Sequence, residues 1–133
     1  MRINIQTTPH DQQRYDTVGD YWIDDEGVIQ VRVSDLGDED MEFLVALHEL
    51  VEMRLCHRQG IDFKAIDNFD RSFEEIRVKH PYIIGLQEPG DMVSAPYHTQ
   101  HQHATSIEQL MASYLGVNWG RYDKAVNELT AKR

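Results

Sequence analysis

The run from Phe43 to Cys56 (FLVALHELVEMRLC) constrains this chain more than any other feature, being its most hydrophobic stretch yet carrying His48, Glu49 and Glu52. At about 100° per residue, Leu44, Leu47, Val51 and Leu55 share one face of a helix. His48 falls within that face, Glu52 lies on its shoulder and Glu49 stands further round. A carboxylate and an imidazole left uncompensated in an apolar stripe cost several kcal/mol. A divalent cation removes that cost, and so does an ordinary hydrogen-bond partner.

Elements on either side of this helix define the fold class. Arg2 to Gln6 alternates as a short strand, and Tyr21–Ile23 and Val28–Val33 flank the turn Asp24–Gly27, a hairpin signal. In the second of these strands Val31 and Val33 alternate with Gln30 and Arg32, so one side faces water. Asp38, Glu39 and Asp40 complement the positive end of the central helix, and Gly60 stops it. Ile66, Phe69, Phe73 and Ile76 mark a second helix that ends before His80-Pro81. Residues 85–95 read as irregular, with Pro89-Gly90 in a type II turn. Pro96 opens a third helix whose inward stripe is Ile107, Leu110, Met111 and Tyr114, with Gly116 as its stop. Asn118 caps a last helix carrying Tyr122, Val126 and Leu129. Short N-terminal antiparallel strands followed by about four helices predict one α+β domain over residues 1–133, with no repeat or linker.

A net charge of -10, from 13 basic and 23 acidic residues, argues against direct nucleic-acid binding, which needs clustered Lys and Arg. Cations, basic partners or plain solubility suit it better, the partners including a basic groove on another protein that an acidic DNA mimic would fill. The lone Cys56 excludes an intramolecular disulfide and suits a reducing compartment. Without a signal h-region or an apolar run of membrane length, the chain is expected to be soluble and cytoplasmic. Oligomeric state is not readable from these features.

Two constellations carry the chemistry. His48-Glu49-Leu-Val-Glu52 resembles the zincin helix, in which H-E-x-x-H places two ligands at i and i+4 and the Glu between them polarises a water. Glu52 stands where the second His would be, making an H-E-x-x-E variant five residues long. Simple hydrogen bonding between His48 and Glu52 is the plainer alternative. The second constellation, His98 to Glu108, holds three of the seven histidines in six residues. His101 and Glu108 share a flank with small Ala104 between them, and that flank meets His48 and Glu52 if the helices pack antiparallel. His103 sits nearer the apolar stripe, as a packed core residue, and His98 points to solvent. Together these give His48, Glu52 and His101 as metal ligands, with Glu108 as a fourth ligand or as the acceptor that orients His101. Zn²⁺ with an open position for water suits the set best, and Fe²⁺ or Mn²⁺ fit the added carboxylate. Glu49 is the candidate general base, provided it reaches in from the helix edge.

Weaker signals surround these. Asp67, Asp70 and Glu74 flank the second helix, where an acidic row is ordinarily solvated, although Asp70 could orient a ligand. Glu49-x-x-Glu52 is also similar to the paired carboxylates of all-α nucleotide pyrophosphohydrolases, but no second pair faces it and the strands are foreign to that fold. There is no G-x-S-x-G elbow or phosphate-cradling Gly loop, and neighbouring Cys56 and His57 diverge on a helix. Trp22 and Trp119 read as hydrophobic anchors.

The pairing of His-Glu-Leu-Val-Glu with Ala-Pro-Tyr-His and His-Gln-His-Ala-Thr-Ser-Ile-Glu resembles uncharacterised small phage and prophage proteins, over about Asp38 to Asp123. That resemblance implies one shared site and no particular reaction. Two functions follow from the residues: a metal-dependent, zincin-like hydrolase, or a non-enzymatic acidic accessory protein whose metal is structural or absent. The substrate or protein partner is not legible in either case.

Overall fold

The computed structural model describes residues 1–84 and 87–131. Three strands, β1 (Ile3–Thr8), β2 (Gly19–Ile23) and β3 (Ile29–Ser34), precede α1 (Glu39–Arg58), α2 (Phe63–Lys79), the single turn α3 (Pro81–Ile84), α4 (His98–Leu115) and α5 (Trp119–Ala131). The protein is therefore an α+β domain.

β2 and β3 form the expected hairpin, with Tyr21 opposite Val31. Asp24 closes its turn by accepting the backbone N–H groups of Glu26 and Val28, both at 2.9 Å, and Gly27 supplies the positive φ of 79°. The sheet is not wholly antiparallel, however. β1 pairs parallel with β3, in the order β1-β3-β2. Its partner is chosen by the link that follows, which crosses the end of β3 to reach β2. His10 pins that crossing, with Nδ1 2.8 Å from Ser34 Oγ and Nε2 2.8 Å from Asp16 Oδ1. Buried Arg77 of α2 donates to the Asp16 carbonyl at 2.7 Å. Serine, histidine and aspartate line up here as in a hydrolytic relay, but Ser34 is 0% exposed, so the arrangement is a lock between strands.

α1 begins at Asp38, whose side chain accepts the Met41 N–H, and lies across β2 and β3. Its buried face is Leu44, Val45, His48, Glu52, Met53 and Cys56. Leu47, Val51 and Leu55 are only half-buried, so the inward face is turned toward His48 and Glu52 relative to the sequence stripe. Val31, Val33 and Leu44 fill the centre of the core.

α4 departs further from expectation. Ile107, Leu110 and Tyr114 are 43%, 52% and 75% exposed, while Gln100, Ala104, Glu108 and Ala112 are buried. Ala104 and Ala112, two turns apart, let α4 approach α1 closely, and the polar members of the row find partners across the interface. Gln100 donates to Gln59. The same rotation leaves His103 exposed rather than packed in the core. α4 also starts at His98 rather than at Pro96, with buried Tyr97 in the capping position. In α2, Ile66 and Phe73 are buried, but Ile76 is 47% exposed. No described helix is long and apolar enough to cross a membrane.

Candidate metal centre

α1 and α4 run antiparallel, and the row of small side chains between them brings together the groups that stand out in the sequence. His48 Nε2 lies 3.1 Å from Glu52 Oε2 and 3.1 Å from His101 Nδ1. His101 Nδ1 lies 2.9 Å from Glu52 Oε2, closing a triangle of three donor atoms. This group could hold a metal ion. Ligands of a tetrahedral Zn²⁺ with bonds of ~2.0–2.1 Å stand about 3.3–3.4 Å apart. In cis positions of an octahedral ion with bonds of ~2.1 Å they stand about 3.0 Å apart. The triangle therefore needs at most a few tenths of an ångström of expansion to accept either geometry.

Each donor is oriented from behind. His48 Nδ1 is 2.7 Å from Glu108 Oε1. His101 Nε2 is 3.1 Å from Asp91 Oδ1. The Tyr21 hydroxyl donates to Glu52 Oε1 at 3.0 Å. Glu108 in turn accepts from the Tyr122 hydroxyl of α5. Such outer partners fix the tautomer and the ring angle of a ligating imidazole.

The residues singled out in the sequence thus take different places. His48, Glu52 and His101 form the triangle. Glu108 does not join it, and it backs His48 where the sequence paired it with His101. His101 is backed instead by Asp91, from a segment that reads as irregular. Glu49 enters the adjoining cleft, and its carboxylate rests on the β2 backbone so closely that a Cβ on Gly19 would sit 2.4 Å from Glu49 Oε1. His98 is half-buried, with Nδ1 2.9 Å from the Gly90 carbonyl, and does not point to solvent. Asp67 pairs with Arg14 across 3.4 Å, Glu74 with Arg77 across 3.7 Å, and Asp70 accepts from the Tyr97 hydroxyl. None of these three acids belongs to the donor triangle.

Electrostatics follow from this crowding of acids. Burial opposes charge on His48, but its bonds to Glu108 and Glu52 carry it well above the usual histidine range. His101 is raised too, its burial overridden by bonds to Asp91 and Glu52. Glu52, despite burial, is held below the ordinary carboxylate range by its bonds to His101 and His48. Burial and then the Glu52 charge push Glu49 well up, and burial lifts Glu88 to about 7. The field that draws protons onto both imidazoles is one that also attracts a dication.

Asp70 gives a prediction away from the donors. Burial first, and the charges of Glu52, Asp20 and Asp67, raise it to about 7 against the pull of Tyr97. Its protonated form therefore favours the fold, a contribution that is complete below its ordinary value of 3.8 and lost as pH rises through about 7. Asp70→Asn keeps an acceptor for Tyr97 without the charge. In urea titrations it should be more stable than the parent by about 1–3 kcal/mol at pH 8, the gap closing as pH falls from 7 toward 4.

The sequence reading missed Tyr21, Asp91 and Tyr122. The two tyrosines were legible only as apolar members of a strand and a helix, although a buried phenol needs an acceptor and both find one in the centre. Asp91 had no periodic pattern to mark it. Comparison of the chain with protein-family models, curated proteins and solved structures finds no match.

Proposed function

We propose that this protein is a metal-dependent hydrolase with a zincin-like helix, in which His48, Glu52 and His101 hold a divalent ion, Zn²⁺ before Fe²⁺ or Mn²⁺. The observation that carries this reading is the donor triangle in which every member has its own outer hydrogen-bond partner. A bound dication would polarise a substrate carbonyl and lower the pKa of a water toward ~7. The protein's part is positional. Glu108 and Asp91 hold the two rings so that their inner nitrogens are free to ligate, and Tyr21 holds Glu52 by its other oxygen. Glu49 shares the cleft with His48 and His101, and with a dication's charge offsetting that of Glu52 it would be ionised and placed to take a proton from water and pass it to the leaving group.

Protein purified without chelators is expected to carry about one equivalent of transition metal. Glu49→Gln should keep that metal and lose at least ~100-fold in turnover of a fluorogenic peptide library. Metal-free protein that ignores added Zn²⁺, or a Glu49→Gln variant of undiminished turnover, would end the proposal. A second reading has one observation in its favour, the outward apolar row of Ile107, Leu110 and Tyr114 on α4. In that reading the ion is structural and the protein acts by binding a partner. Glu49→Gln would then change nothing, and partner capture would survive it.

A further inference from the structure

The cleft beside the triangle measures about 180 Å³ and is built differently on its two sides. One side is the centre itself. The other is α5, where Trp119, Asp123 and Val126 recur at i, i+4 and i+7 and all line the cavity. Trp119 is anchored edge-on to Tyr122, with ring centroids 5.3 Å apart, and Tyr122 also holds Glu108. The apolar wall is therefore fixed rigidly to the ligand network. Asp123 stands on the solvent side, and Asn127 donates to it at 3.4 Å.

Charge decides what such a cleft admits. Among the described residues its lining includes Glu49, Glu88, Asp91, Glu108 and Asp123 and not one Lys or Arg. With Glu52 counted, the carboxylates of Asp91, Glu108 and Asp123 alone outweigh a bound dication, before Glu49 and Glu88 contribute. Away from the ion, a phosphate or a chain-terminal carboxylate would meet a like-signed field with no Lys or Arg among the described lining residues to receive it. A positive group would be drawn in. The volume, below the ~300–1,000 Å³ of sites for drug-sized ligands, suits one side chain rather than an extended ligand. An alkyl stem lying on Trp119 and Val126 with its charged end at Asp123 meets all three conditions, and the indole face adds attraction for the cation.

We infer that this cleft selects a substrate residue with a cationic head on an apolar stem, a lysine or arginine side chain, with Asp123 receiving the head and Trp119 and Val126 seating the stem. The inference rests on the metal-centre reading and adds the substrate class to it. Asp123 is a specificity residue here and takes no part in holding the ion.

Nα-acetylated hydroxamates of lysine, leucine and glutamate, which chelate a bound metal, probe the cleft without requiring turnover. The protein is first loaded with Zn²⁺ and its stoichiometry measured, and the three compounds are then titrated calorimetrically. The lysine compound should bind at least tenfold more tightly than the glutamate compound. Asp123→Asn should shrink that ratio at least threefold with zinc content unchanged, and Asp123→Lys should reverse the preference. Equal affinities, or a ratio untouched in Asp123→Asn, would overturn the inference and leave the metal centre standing. Failure to take up zinc in the first step would overturn both.

Discussion

Replacing His101 by Ala is expected to weaken divalent-ion binding by more than the ~10–100-fold typical of losing an outer partner. Of the three donor atoms, His101 supplies the one from α4, and the other two come from a single turn of α1. Without it, His48 Nε2 and Glu52 Oε2, 3.1 Å apart, remain as a bare pair with no third donor to close the site. Asp91→Asn makes the informative contrast. It leaves the triangle whole but removes the charged acceptor behind His101 Nε2, 3.1 Å away, and should fall in the milder range. Thermal melts give the same ranking. Metal at a hundred times its Kd should add ~2.7 kcal/mol to the parent. The same concentration should add a smaller increment to Asp91→Asn and almost none to His101→Ala. A purely hydrogen-bonded cluster would show no metal-dependent shift in any of the three.

The second large effect comes from a methyl group outside the triangle. A Cβ on Gly90 would stand 2.4 Å from His101 Cγ and 2.5 Å from its Nδ1, the donor atom itself. Gly90 is not among the glycines with positive φ, so Ala carries no backbone penalty there and the effect is steric. Its backbone cannot readily retreat, because Gly90 is buried and its carbonyl is 2.9 Å from His98 Nδ1. The ring must move, and the donor moves with it. Gly90→Ala should therefore weaken metal binding by about 10–100-fold, as an outer-partner defect does, while far-ultraviolet circular dichroism stays that of the parent. Unchanged affinity would mean that His101 is not held where the metal reading needs it.

Much of this architecture was legible in local pattern. The hairpin turn at Asp24–Gly27, the stop at Gly60 and the end of α2 before Pro81 each rest on a residue whose backbone preference acts within a few positions. What sequence missed depends on packing. On α4 the larger side chains, Ile107, Leu110 and Tyr114, made the obvious stripe, yet the interface went to Ala104 and Ala112, where the helices come closest. Hydropathy ranks side chains by size and polarity and cannot reward a small residue for letting a neighbour in. The same blindness placed His103 inside and Glu108 behind the wrong imidazole. β1 chose its parallel partner through a link locked by His10, Asp16 and Ser34, contacts between residues distant in the chain. The site itself was half legible: polar groups embedded in an apolar stretch marked His48 and Glu52, and the cluster of histidines that opens α4 marked His101, whereas Asp91 and the tyrosines gain meaning only from what they touch.

The central claim is that the three donor atoms share one ion. Crystals grown with Zn²⁺, measured on both sides of the zinc absorption edge, test it at the atoms concerned. The account predicts a single strong anomalous peak at ~2.0–2.2 Å from His48 Nε2, His101 Nδ1 and a Glu52 oxygen, with Glu108 and Asp91 still on the far nitrogens. A map without that peak, in which the three side chains still hydrogen-bond to one another, would contradict it.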